Sequence, residues 1–102
     1  MTGVNPANGS TGVARDVTVA VDFSERVNPL TVDAASLRLL NGVTGQVVEA
    51  SVSVSADRRG ALLVPAVQLS ANTLYYPQAL GSILDQAGNP LAFFQTSFTT
   101  GP

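Results

Sequence analysis

Val17, Val19, Val21 and Phe23 alternate with Asp16, Thr18, Ala20, Asp22 and Ser24. A period of two sends successive side chains to opposite faces of an extended chain, so this run predicts a strand with one dry and one wet face. A second run sets Val48, Ala50, Val52 and Val54 against Glu49, Ser51, Ser53 and Ser55, and its β-branched residues suit a half-buried pleated surface. Shorter apolar stretches at 36–40, 61–64, 73–80 and 93–100 predict further strands, and residues 2–4 a short edge strand. Turn formers separate them: Asn5-Pro6, Asn8-Gly9, Asn28-Pro29, Asn41-Gly42, Asp57 to Gly60 and Gly88-Asn89-Pro90. About seven short strands at this spacing predict an all-β, antiparallel two-sheet sandwich. Residues 28–35 form the single helical candidate, one turn long, where Pro29 and Asp33 suit a crossing between sheets. The expected core is Val17, Val19, Val21, Phe23, Leu37, Leu39, Val48, Val52, Val54, Leu63, Leu69, Tyr75 and Phe98.

Composition narrows the function more than the fold. With 102 residues, one domain over 1–102 is expected, residues 1–3 and 101–102 serving as linker ends. Apolar residues make up 45% and charged residues 12%, so the chain should fold rather than stay disordered. A formal charge of -2, with five Arg and no Lys, leaves no basic footprint for nucleic acid or an anionic membrane. No stretch approaches the roughly 18 apolar residues that span a bilayer, and the first residues lack the basic and apolar regions of a signal peptide. The absence of cysteine removes disulfides, thiolate catalysis and Cys-ligated zinc.

The residues then resemble a known family. Asn5-Pro-Ala-Asn-Gly9, Gly12-Val13, Val21-Asp-Phe-Ser-Glu25 and Asn28-Pro-Leu-Thr-Val32 resemble the opening half of the bacterial Ig-like domains first described in surface-layer proteins. Pro65-Ala66, Leu69-Ser-Ala-Asn-Thr-Leu-Tyr75, Asp85-Gln-Ala-Gly-Asn89 and Ser97-Phe-Thr-Thr100 are similar to the closing half. The resemblance implies an Ig-like sandwich, found in large exported bacterial proteins, in tandem or beside catalytic or adhesive domains. It also implies an extracellular or cell-surface location, with the export signal outside this sequence. One departure stands out: after the tyrosine the family alternates, whereas this chain has Tyr76-Pro77-Gln78-Ala79-Leu80. Proline cannot donate to a sheet ladder, so the strand is expected to break at Pro77.

Candidate chemistry is sparse. Tyr75 follows Leu69 to Asn72 with the spacing of a tyrosine corner, whose hydroxyl bonds backbone a few residues upstream. Asp85 and Asn89 are candidate oxygen ligands for calcium, the one cofactor considered; the alternative is a turn in which Asp85 bonds backbone amides while Gly88 and Asn89 take left-handed angles. Asp22 and Glu25 could form a carboxylate pair for glycoside hydrolysis, but Asp22 belongs to the wet face. No His, Cys or Lys is present to activate a Ser or Thr hydroxyl, so no catalytic residue is assigned. Arg58-Arg59 in a hairpin turn could meet a phosphate or an acidic sugar, or simply be solvated. If Tyr75 points inward, Tyr76, Gln78 and Leu80 point outward with Arg38, Leu40 and Phe93, a candidate interaction face. Phe23, Tyr75, Asp85, Gly88 and Asn89 are assigned structural roles. The expected function is a non-catalytic spacer or adhesion module of an exported bacterial protein. Its partners would be neighbouring domains of the same polypeptide, and beyond them a surface protein or glycan. The alternative is a carbohydrate- or protein-binding accessory module of a secreted enzyme.

Overall fold

The computed structural model describes residues 3–23, 25–80, 82–91 and 93–102, so that Thr2 and Ser24 of the expected strands lie outside the described residues. Two sheets pack as an all-β sandwich. The first has four antiparallel strands in the order β1 (Gly3–Asn5), β3 (Val19–Asp22), β7 (Gly60–Pro65) and β6 (Ala50–Val54). The second runs β2 (Ser10–Val13), β10 (Phe98–Thr100), β8 (Leu74–Ala79), β4 (Leu37–Asn41) and β5 (Val47–Val48), with β9 (Phe94–Gln95) also pairing β8. A 3-10 turn, Pro29–Thr31, leads from the first sheet to the second. Asn28 caps it, its side-chain Oδ1 accepting the Leu30 N–H at 3.1 Å.

The core follows from the alternation. Val19, Val21, Ala61 and Leu63 from one sheet meet Leu37, Leu39, Tyr75, Ala79 and Phe98 from the other, all buried, as period two requires of strands with one face turned inward. Phe23 is buried directly after β3. Val17, Val48, Val52 and Val54, expected in the core, are only half buried and line its rim. Val27, Val32 and Ile83 are buried without having been expected. They sit outside the regular strands, where burial depends on how connecting segments fold over the sheet ends and leaves no periodic trace.

Three strand expectations need correction. The alternating run 48–54 serves two sheets: β5 pairs with β4, the chain crosses at Glu49, and β6 pairs with β7. The strand β2 was not expected, because Ser-Thr-Gly-Val carries no alternation. It lies parallel to β10, an exception in an otherwise antiparallel fold. Phe98 faces Ser10 while Thr100 faces Val13, so β2 carries one extra residue, accommodated where Gly12 takes φ +64°.

The third correction concerns Pro77, where no break occurs. On one side β8 keeps an unshifted register with β4, Leu39 opposite Pro77. On the other, Phe98 pairs with Tyr75 and Gln95 with Gln78, which places Thr96 opposite Pro77. The Thr96 N–H donates to the Pro77 carbonyl at 3.1 Å, while the reciprocal bond needs an N–H that proline lacks. The missing bond divides the partner strand into β9 and β10 and leaves β8 whole. Thr96 itself is buried, and its hydroxyl finds no hydrogen-bond partner among the described residues.

The molecule measures 43 × 21 × 21 Å. At one pole Gly3 and Gly60 both pair with Asp22, and the Arg58 and Arg59 carbonyls accept the Val27 and Phe23 N–H groups. At the other pole the Gly101 N–H donates to the Val13 carbonyl at 3.0 Å and its carbonyl accepts the Asn72 N–H at 2.9 Å. The polypeptide thus runs in at one pole and out at the opposite one.

Candidate functional site

Strand parity gathers the expected interaction face on the outer side of the second sheet. Leu40 lies opposite Tyr76 and Arg38 opposite Gln78, and the register of β8 with β9, carried one step further, sets Leu80 opposite Phe93. The face also includes Gln95, which the sequence reading missed although it alternates with Phe94. Arg38 Nε donates to Gln78 Oε1 at 2.8 Å, and Gln78 Nε2 donates to Gln95 Oε1 at 2.7 Å. Three strands are thereby joined by one polar row. Gln78 faces outward as expected from parity, yet it is only 7% exposed because this row closes over it. Leu40, Tyr76 and Leu80 are half buried, and Phe93 is 58% exposed. The Tyr76 ring rests against Gly42, where an added Cβ would come within 2.8 Å of it. The polar row separates Leu40 and Tyr76 from Leu80 and Phe93, so the apolar groups form two small areas rather than one patch.

Tyr75 is 2% exposed, stacks on Phe98 with centroids 5.7 Å apart, and accepts the Ser70 N–H on its hydroxyl at 2.9 Å. That is the geometry of a tyrosine corner. Tyr75→Phe should keep the ring packing and lose this bond, lowering stability by about 1 kcal/mol. Chemical denaturation of the two proteins measures it, and coincident curves would rule out a stabilising bond.

Asp85 turns both oxygens toward Asn89: Oδ1 accepts the Asn89 N–H at 2.8 Å and Oδ2 the Asn89 side-chain amide at 3.4 Å. The Asn89 carbonyl in turn accepts the Asp85 N–H at 2.9 Å. Gly88 takes φ +87°, whereas Asn89, expected to be left-handed as well, does not. One residue of positive φ suffices once the side chain of Asp85 closes the turn. The Asn89 N–H holds the Asp85 carboxyl below its ordinary pKa, with the Asn89 amide adding to the effect. A lowered folded value means that this turn contributes stability at neutral pH and loses it as acid protonates the carboxyl. Among the described residues no group of three or more His, Cys, Asp or Glu is placed to hold a metal.

The remaining candidates fall apart or serve the turn. Asp22 and Glu25 are both exposed, and the hollow that Asp22 lines with Ser53, Ser55, Asp57 and Arg59 does not include Glu25. In the 55–60 hairpin the Ser55 hydroxyl donates to Asp57 Oδ1, which also accepts the Arg59 N–H at 3.0 Å. Those two bonds, the hydroxyl first, lower the Asp57 pKa. Arg58 sits at φ +61°, and the pair of arginines contributes backbone carbonyls to the pole described above. Among the described residues no helix is long and apolar enough to cross a membrane.

A two-sheet sandwich closed by a tyrosine corner, with polar turns at both poles, defines an immunoglobulin-like domain. The chain belongs to the bacterial Ig-like domain family, whose model matches residues 1–100. Solved structures share the fold. Domains 1–6 of the surface layer protein SbsC match 98% of this chain at TM-score 0.73 and 18% identity. The chain spans only 13% of that protein's structure. The copper resistance protein PcoC from Escherichia coli matches 98% of this chain, and 97% of its own, at TM-score 0.75 and 19% identity. CopC from Methylosinus trichosporium OB3b matches 97%, and 89% of its own, at TM-score 0.71 and 21% identity. No curated protein compared with the chain matches it.

Proposed function

We propose that the chain is a non-catalytic spacing module of a larger bacterial surface or secreted protein, holding its neighbours a fixed distance apart. The observation that carries this reading is the placement of Gly3 and Gly101 at opposite poles of a body 43 Å long. Copies joined through Gly101-Pro102 then extend end to end. The family and the likeness to surface layer domains support a location outside the cell. Small-angle scattering from two copies joined in tandem tests the reading. The longest dimension should rise from about 43 Å to nearly twice that, and a pair folded into a compact particle would overturn it.

The likeness to copper resistance proteins raises metal carriage as a second reading, and the residue inventory weighs against it. Copper is held by imidazole, thiolate or thioether ligands, and this chain has no His, no Cys and one Met. Binding of a glycan or a protein would fall on the face around Tyr76, which the Arg38–Gln78–Gln95 row divides. Localised chemical-shift changes there on adding a ligand would favour that alternative. Spacing requires no cofactor, so calcium should leave thermal unfolding unmoved.

A further inference from the structure

We propose that β6 is a pairing edge through which two copies of this chain associate side by side, antiparallel about Val52. The strand closes the first sheet and, among the described residues, pairs only with β7. The Ala66 N–H donates to the Glu49 carbonyl and the Ser55 N–H to the Gly60 carbonyl. By alternation, residues 49, 51, 53 and 55 turn their backbone groups to β7, while those of Ala50, Val52 and Val54 point away from the sheet. A row of unpaired N–H and C=O groups is a template for another strand.

Sheet edges are ordinarily blunted by shortness, charge, proline or a bulge. Here β1 and β5 are short, with three and two residues, and β2 carries a bulge. Among the described residues β6 is the edge that is long and unguarded: five residues, no charge, no proline, in unbroken register with β7. Its inward-facing Ala50, Val52 and Val54 are also only partly covered by the core, so apolar surface remains there for a second strand to cover.

The occupant is a second copy because the strand complements itself. Read in either direction from Val52, Ala50-Ser51-Val52-Ser53-Val54 gives the same alternation of small or apolar and hydroxyl positions. With Val52 opposite its counterpart, Ala50 meets Val54 and about six backbone hydrogen bonds close the ladder. Glu49 then faces Ser55, so no like charges are opposed. Ser51 faces Ser53 at a position without hydrogen bonds between the pair, where Cα atoms approach to about 4.5 Å.

Sedimentation equilibrium of the chain should show a mass rising with concentration from 10.5 kDa toward that of a dimer. Register is read from two variants, Ser51→Cys and Ser53→Cys, each at an exposed side chain in a protein with no other cysteine. Mixed and oxidised, they should give mainly the cross-linked pair of one variant with the other, since residues 51 and 53 then fall within disulfide reach. Each variant alone should cross-link far less. A mass fixed at 10.5 kDa overturns the proposal, and so does self-cross-linking of either variant as efficient as that of the mixture. Both failures leave the spacing role standing, which rests on the two poles and not on this edge.

Discussion

Phe98→Ala is expected to lower stability by roughly 3 to 5 kcal/mol, the range for emptying a buried aromatic site. Phe98 is 1% exposed, stacks on Tyr75, and sits on β10 between β2 and β8. Its loss leaves a cavity under the tyrosine corner, where Tyr75 is pinned by the Ser70 N–H and cannot swing in to fill it. Domains of this kind hold only about 5 to 15 kcal/mol in total, so the variant should be unfolded in a substantial fraction near physiological temperature. Denaturant unfolding measures the loss. Phe93→Ala is the control: Phe93 is 58% exposed, and truncation there should cost within about 0.5 kcal/mol. Equal losses at the two positions would mean that Phe98 does not anchor the core.

The second expectation sets two buried threonines against each other. Thr100 is 2% exposed, and its hydroxyl accepts the Thr73 N–H at 2.9 Å and donates to the Ser70 carbonyl at 2.6 Å. Thr100→Val keeps the shape and strands both partners, each at about 1 to 3 kcal/mol if it stays dry. Thr96 is 5% exposed with a hydroxyl that bonds nothing among the described residues. Thr96→Val therefore removes a desolvated polar group and should raise stability by about 1 kcal/mol. The same chemical change is expected to move the unfolding midpoint in opposite directions. Two shifts of the same sign would refute the assigned hydrogen bonding of one of them.

Much of this architecture was legible in advance, for identifiable reasons. Val19, Val21 and Leu63 alternate because they lie on strands with one wet face, and period two survives in the sequence. Tyr75 was legible because a corner joins residues five apart, a separation fixed by local chain geometry. What escaped depends on distant partners. Nothing in Ser10 to Val13 reveals that β10 will lie beside it, and the alternation of 48–54 runs on while the chain changes sheets at Glu49. Pro77 misled because its missing N–H was charged to its own strand, when the ladder toward β4 had no use for that group at this position. On the candidate face, parity placed Arg38 and Gln78 together, but their closure into a row with Gln95 follows from side-chain geometry that spacing does not encode.

The parallel pairing of β2 and β10 has a mechanical consequence. Tension applied through Gly3 and Gly101 would draw β2 and β10 along each other in opposite senses. The Gly9 N–H to Ser97 carbonyl bond, the Ser97 N–H to Asn8 side-chain bond and the Gly101 N–H to Val13 carbonyl bond would then be loaded together, in shear, rather than peeled one after another. A rod of such units would resist stretching until a whole clasp gave way.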